Sequence, residues 1–219
     1  MRTDRLPMLL SATRVALAPC FAVALHACDQ AGDRATGAAV DPVHLVPLAI
    51  ALLAAATDWA DGRLARRLGV ASSAGASLDV AADAAFVLGG LVALATAGIV
   101  VPALPVAAAL ALAAFAASRL LSRSEDRAGD DASAPTRPRS PADALGHAAG
   151  VLNYAIVIAG ASLPLFPRAA GWVRVASALV AVLNVSPVAL RAARSRRATG
   201  GTQASRGSSP EGPPPRDRA

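Results

Sequence analysis

Four aspartates lie between long apolar segments, in the stretch TDWADGRLARRLGVASSAGASLDVAADAAF (residues 57–86). Asp58 and Asp61 are three positions apart, and Asp79 and Asp83 are four apart. Residues at these spacings share one face of a helix, so each pair presents two carboxylates to the same side. Because the connecting segment is short, the two helices should be neighbours. The four carboxylates can then converge in one polar pocket.

Such a pocket is costly unless it holds a cation. A carboxylate deep in a membrane helix costs about 2.5–3.5 kcal/mol on insertion scales, and like charges close together repel each other. Hard carboxylate oxygens suit Mg²⁺ or Mn²⁺. Four carboxylates are sufficient for two ions about 3.5–4 Å apart, which can clamp the attacking and leaving oxygens in phosphoryl transfer. The alternative, interfacial caps and solvated charges, explains one aspartate better than two pairs at helical spacing.

The residues between the two pairs suit a ligand that carries phosphate. Gly62 and Gly75 let a helix or a ligand approach the backbone closely. Arg66 can bind a phosphate through two hydrogen bonds. Ser72 lies where hydroxyl and free backbone N–H groups can hold polar ligand atoms. Arg63, in contrast, is typical of an anchor at the lipid head groups.

The composition indicates a helical membrane protein. Hydrophobic residues make up 54% of the 219 residues and charged residues only 16%, below the roughly 25% of soluble domains. Six apolar segments approach the ~20 residues that cross a bilayer as a helix. We therefore predict an all-α bundle of six transmembrane helices within residues 1–197. The predicted segments are roughly 8–28, 43–61, 76–98, 102–121, 146–166 and 171–190.

The distribution of arginine predicts the orientation in the membrane. All basic residues are Arg, and they concentrate at the N-terminus, after segments two and four, and in the tail. Since basic residues favour the cytoplasmic side, both termini and the aspartates are expected to face the cytoplasm at the cell membrane. A loop at about 122–143 and the tail 198–219 are expected to be disordered, because they are rich in Pro, Gly, Ser and charge. The net charge of +6 comes without a nucleic-acid motif, so no nucleic-acid partner is expected.

The first apolar segment is similar to a signal peptide, but Arg14 and Pro19 interrupt it, and we interpret it as a retained span. An unpaired Arg inside a span is expensive, so Arg14 should pair with a carboxylate or a phosphate. Cys20 and Cys28 lie on the same predicted helix and indicate neither a disulfide framework nor a metal site.

The aspartate stretch resembles the signature of the CDP-alcohol phosphatidyltransferase family. The pattern is Asp58-x-x-Asp61-Gly62-x-x-Ala65-Arg66, eight residues, then Gly75-x-x-x-Asp79-x-x-x-Asp83, and it agrees at every defined position. The six-span topology is also similar.

The resemblance implies a role for each matching residue. Asp58, Asp61 and Asp79 would bind metal, with Asp83 as the general base and a further metal contact. A second set would contact the CDP part of the donor: Gly62, Arg66 and Ser72. The implied reaction is attack of an alcohol hydroxyl on CDP-diacylglycerol with release of CMP, in the presence of Mg²⁺ or Mn²⁺. Family precedent also implies a homodimer, although no interface is readable in the sequence.

The acceptor alcohol is less well defined. The segments LPMLLSATRVALAP and TDWADGRLARR look most like phosphatidylglycerophosphate synthases and CMP-forming cardiolipin synthases, which favours glycerol 3-phosphate over phosphatidylglycerol or an inositol phosphate. Ala84 stands where such synthases usually carry Lys, and their later Lys-Thr-Gln-type segment is missing. Arg14, Arg119 and His147 are candidate acceptor contacts. Asn153 and Tyr154 either line the cavity or form hydrogen bonds between helices.

Three other functions compete with this one. A related subclass transfers phosphocholine or phosphoethanolamine to diacylglycerol. A cation transporter would use the aspartates as an ion site, but transport sites usually lie near the bilayer midplane, whereas these aspartates flank a loop. A non-catalytic scaffold would not need the intact set of four.

Overall fold

The computed structural model describes the backbone of residues 5–32, 42–68, 73–128 and 141–206, and the side chains of residues 11–30, 42–60, 63, 80–118 and 145–190. Within these ranges there are six α-helices and no strand. The predicted all-α architecture with six helices is confirmed. The helices are α1 (Arg5–Gly32), α2 (Val46–Leu68), α3 (Ser73–Thr96), α4 (Ala103–Ala128), α5 (Pro141–Ala161) and α6 (Ala170–Arg206).

α4 and α6 continue beyond their apolar segments into residues that were predicted to be disordered. α4 continues to Ala128 and includes the start of the loop predicted as disordered at 122–143. α6 continues to Arg206, into the tail predicted as disordered at 198–219. The predicted segments mark only where the apolar residues end, and Arg, Glu and Ala are good helix formers that can extend a helix beyond the membrane. Residues 141–143 at the end of the predicted loop begin α5, and the remaining parts of the predicted loop and tail lie outside the described residues.

Three stretches within the described part of the chain are long and apolar enough to cross a membrane. They are Ser11–Gln30, Pro42–Ala60 and Pro167–Leu190, and the last has the highest mean hydropathy, 1.8. The other three helices carry shorter apolar stretches: Val80–Thr96, Ala103–Ser118 and Leu145–Ala161. All six helices are therefore apolar over much of their length, as expected of a helical membrane protein.

The bundle is organised around α3. α1 packs against α2 and α3, α6 packs against α4 and α5, and α3 contacts both α4 and α5. Phe21 of α1 and Phe86 of α3 meet edge to face, with ring centroids 6.1 Å apart. The large apolar side chains that are almost completely buried are Phe21, Phe86, Leu91, Leu94, Val100, Leu104 and Val157.

Two glycines allow α3 and α5 to approach each other closely. A Cβ atom added to Gly90 would lie 3.1 Å from Cγ1 of Val157, and one added to Gly160 would lie 2.7 Å from Cδ2 of Leu94. Small residues at helix contacts are a common means of tight packing in membranes. The contacts advance together along both helices, so α3 and α5 run parallel.

Polar side chains also join the helices. Asn153 of α5 and Asn184 of α6 are buried and exchange two amide hydrogen bonds of 3.0 and 2.9 Å. At the α3–α4 turn, the N–H of Val101 donates to Oγ of Ser177 in α6 over 3.1 Å. Such bonds fix the neighbouring helices in register where no water is available to replace them.

Both tryptophans of the chain are exposed and lie toward opposite ends of the bundle. Trp59 is 63% exposed on α2, and the guanidinium of Arg63 lies 4.6 Å from its ring centroid. Trp172 is 78% exposed at the start of α6, near the α3–α4 turn. Since Trp is enriched at both membrane–water interfaces, these positions fit the two boundaries of a bilayer.

Candidate active site

Arg14 of α1 joins the two helices that carry the aspartates. Its Nη1 donates a hydrogen bond of 2.9 Å to Oδ1 of Asp58 on α2, and the same nitrogen contacts Oδ1 of Asp83 on α3. The Arg14 side chain is completely buried, whereas those of Asp58 and Asp83 are 45% and 33% exposed. The carboxylates therefore lie at an opening of the bundle, with the guanidinium on its inner side.

This contact sets an upper limit on the separation of the two carboxylates. Both oxygens bind one nitrogen, so they lie no farther apart than two hydrogen-bond lengths, about 6 Å. Asp58 and Asp83 thus converge, as the spacing of the four aspartates predicts. The pairing of Arg14 with carboxylates also agrees with the expectation for an arginine inside a span. It offsets the cost of burying the guanidinium and the mutual repulsion of the two anions.

The other predicted site residues are described only in part. Asp61, Gly62 and Arg66 lie on the last turns of α2, and Asp79 lies on the second turn of α3. The helical backbone places Asp61 and Asp79 on the faces of Asp58 and Asp83, respectively. The side chains of these four residues lie outside the described part, as does Ser72 entirely. Their predicted roles therefore stay predictions.

Residues 4–183 match the family model of the CDP-alcohol phosphatidyltransferases. The chain belongs to the CDP-alcohol phosphatidyltransferase family. The matched region begins before α1 and ends within α6, so it includes part or all of each of the six helices. A search of curated proteins found no significant match.

Members of the CDP-alcohol phosphatidyltransferase family are phosphotransferases that transfer a substituted phosphate group from a CDP-alcohol to an acceptor alcohol. Membership confirms the resemblance and the prediction of an enzyme, and it favours the enzyme over the cation transporter. The resemblance to one synthase within the family stays a prediction.

CDP-alcohol phosphatidyltransferases generally depend on divalent metals. Among the described side chains, no group of three or more potential ligands lies close enough together to hold a metal ion. Asp58 and Asp83 supply two hard oxygen donors. A cationic guanidinium already lies against both described carboxylates. The two described carboxylates supply the type of donor that Mg²⁺ and Mn²⁺ prefer.

The candidate acceptor contacts lie on three helices. Arg14 is in contact with the carboxylates, His147 is exposed on the first half of α5, and the side chain of Arg119 on α4 lies outside the described part. The structure also distinguishes Asn153 from Tyr154. Asn153 forms the amide pair with α6, whereas the Tyr154 ring stacks on Phe86 with centroids 5.7 Å apart. Phe86 lies one helical turn after Asp83. In the sequence, only this spacing indicated that an aromatic side chain lies beside the site.

Proposed function

We propose that this phosphatidyltransferase transfers a phosphatidyl group from CDP-diacylglycerol to a hydroxyl of a small alcohol, with glycerol 3-phosphate favoured, and releases CMP. Family membership supports the type of reaction. The observation that carries the choice of residues is the convergence of Asp58 and Asp83 on Arg14. This contact brings together a proposed metal ligand and the proposed base from two helices.

In the proposed reaction, Asp83 is the general base. It takes the proton from the acceptor hydroxyl, whose oxygen forms a bond to the lipid-side phosphorus of the donor. The bond from that phosphorus to the CMP phosphate oxygen breaks, and CMP leaves with the electron pair. A carboxylate has lone-pair sites on both oxygens. The contact of Oδ1 with Arg14 is therefore compatible with proton transfer to Asp83.

The remaining aspartates hold metal in this proposal. Asp58, Asp61 and Asp79, with an additional contact from Asp83, would bind one or two divalent ions. Such ions, when bound, stabilise the negative charge that develops on the diphosphate. Gly62, Arg66 and Ser72 would hold the CDP part, with Arg66 as a bidentate phosphate contact. Arg14 keeps the two carboxylate-bearing helices together and partly balances their charge.

We place the site at the cytoplasmic face of the cell membrane, with both termini in the cytoplasm. The concentration of arginine on that side supports this orientation. The exposed Trp59, beside Arg63 and one residue after Asp58, supports a site at the depth of the lipid head groups. A water-soluble acceptor can reach that depth while the diacyl donor stays in the bilayer. We also propose a homodimer, on family precedent alone.

The direct test uses purified full-length protein in lipid nanodiscs with CDP-diacylglycerol, Mg²⁺ and a panel of alcohols. Glycerol 3-phosphate, phosphatidylglycerol and an inositol phosphate are supplied separately, and CMP and the phospholipid product are measured. We expect CMP release that requires one of these alcohols. A parallel reaction with CDP-choline and diacylglycerol tests the related subclass. Absence of turnover with every pair, in protein that still binds CDP and metal, would overturn the proposal.

A further inference from the structure

Two adjacent polar residues of α5 have opposite surroundings. Both amide groups of the Asn153–Asn184 pair are satisfied within the bundle. The hydroxyl of Tyr154 is buried, yet it has no hydrogen-bond partner among the described residues. Phenylalanine would fill nearly the same volume without a buried unpaired polar group, which costs free energy. The hydroxyl therefore lacks a partner in the described part of the chain, and a bound ligand can supply one.

The surroundings of Tyr154 indicate where that partner lies. The ring stacks on Phe86, three residues after Asp83. Phe86 and Asp83 lie on one face of α3, so the stacked ring of Tyr154 lies about one helical turn along α3 from the proposed base.

The parallel packing of α3 and α5 places open space next to this hydroxyl. Gly90 of α3 lies opposite Val157 of α5. Because the two helices run parallel, the residues seven positions earlier, Asp83 and Gly150, also lie at the same level. Gly150 is four residues before Tyr154 and shares its helix face. No described atom lies within 4 Å of the Cβ that a side chain would add at Gly150. Gly150 is exposed, so this space is open to the outside and gives a small molecule access to the face of α5 that carries Tyr154.

We propose that Tyr154 is a binding residue for the acceptor alcohol, an inference that rests on the proposed function. Its hydroxyl donates a hydrogen bond to a second oxygen of the acceptor, next to the hydroxyl that Asp83 deprotonates. The acceptor class is then a polyol or its phosphate ester, because a simple monohydric alcohol has no second oxygen. Tyr154 selects and orients the acceptor, while the donor is bound on the α2 side of the site.

The test compares Tyr154→Phe with a matched variant of its neighbour, Asn153→Ala, in the full chain. We expect Tyr154→Phe to raise the acceptor KM about fivefold to tenfold, the loss of one neutral hydrogen bond. The KM for CDP-diacylglycerol should stay unchanged, and the Tm should stay equal or rise. Asn153→Ala should lower the Tm and leave the acceptor KM unchanged. An unchanged acceptor KM in Tyr154→Phe, or a fall in Tm with both KM values altered, overturns the inference and leaves the proposed function intact.

A second pair of variants tests the open space. Gly150→Leu should fill it and raise the acceptor KM by more than tenfold. Gly171→Leu is the control, because Gly171 lies near the opposite end of the bundle and also has no described atom within 4 Å of an added Cβ. Equal acceptor KM values in these two variants contradict an acceptor site beside Gly150.

A measurement without turnover separates this inference from the proposed reaction. Tyr154 is the only tyrosine of the chain, so 3-fluorotyrosine gives a single ¹⁹F resonance. We expect glycerol 3-phosphate, added without donor, to shift this resonance, and CDP alone to leave it unchanged. A shift in protein that shows no turnover with any alcohol would overturn the proposed reaction and keep the Tyr154 contact. If neither a shift nor turnover occurs with any alcohol of the panel, both are overturned.

Discussion

Arg14 contacts Asp83 from the inner side of the bundle, although 69 positions separate the two residues in the chain. The same guanidinium nitrogen reaches Asp58, so one side chain connects α1, α2 and α3. Neither aspartate is fully buried, and both face an opening. The first helix therefore takes part in forming the site although its own sequence carries no part of the aspartate signature.

Replacement of Arg14 should destabilise the protein. Arg14→Ala leaves two facing carboxylates without their shared cation, and we expect a loss of about 3 kcal/mol in the free energy of unfolding. Loss of one partner of a buried ion pair costs about 3–5 kcal/mol. We expect the lower end of this range because Asp58 and Asp83 are partly exposed. Unfolding in detergent measures it. Arg14→Lys keeps the charge but not the planar group and should lose less.

The metal dependence of that loss provides its control. A divalent cation should compensate for the missing guanidinium, because both reduce repulsion between the carboxylates. Mg²⁺ should therefore raise the Tm of Arg14→Ala more than that of the unmodified protein. An equal increase in both proteins would mean that Arg14 does not act through the charges of Asp58 and Asp83.

Asp83→Asn and Asp58→Asn should separate the proposed base from the metal ligands. Asp83→Asn should lower kcat by about 10²–10⁴-fold, the usual contribution of a general base, while binding of CDP-diacylglycerol is kept. Asp58→Asn should weaken metal binding, which isothermal titration with Mn²⁺ measures. If Asp83→Asn loses metal binding as severely as Asp58→Asn, the assignment of the base is wrong.

The amide pair between α5 and α6 should contribute to stability and not to catalysis. Asn184→Ala leaves the buried amide of Asn153 unpaired, so we expect a loss of about 1–3 kcal/mol in the free energy of unfolding. Leu at both positions removes both polar groups and should recover most of that loss. Unfolding of the single and double variants in detergent measures these effects. A double variant that is less stable than Asn184→Ala would contradict this explanation.

The depth of the two tryptophans should report the boundaries of the bilayer. Trp172→Phe leaves Trp59 as the only tryptophan, and Trp59→Phe leaves Trp172. Quenching by brominated lipids should place each ring about 15 Å from the bilayer midplane, half of the hydrocarbon thickness. A ring near the midplane would contradict an interfacial position for that end of the bundle.

The local spacing of residues was sufficient to predict the helices and the convergence of Asp58 with Asp83. Both depend on the helical period and on a short connection, which are visible within a few tens of residues. The identity of the Arg14 partners was not predictable, since it depends on how α1 packs against two later helices. Only the need for a partner followed from the cost of an arginine in a span.

The distinct surroundings of Asn153 and Tyr154 also required the structure. Adjacent residues on a helix point about 100° apart, and only the packing of α3 and α6 around α5 decides which faces the site. The helix ends at Ala128 and Arg206 also could not be predicted from apolar composition. Apolar composition indicates how far the membrane extends, and a helix can continue in water beyond it.

The contacts of Arg14 also have a consequence for synthesis, because Arg14 is made before either of its partners. At about 5–20 residues per second, Asp83 follows Arg14 by several seconds. Until then Arg14 of α1 has at most one of its two partners, Asp58, and the apolar stretch of α1 has the lowest mean hydropathy of the three long ones, 1.3. Nascent chains that stop before Asp83 should therefore leave α1 less protected from protease than chains that include it. The contact that assembles the site would thereby make membrane insertion of the first helix dependent on translation of the third.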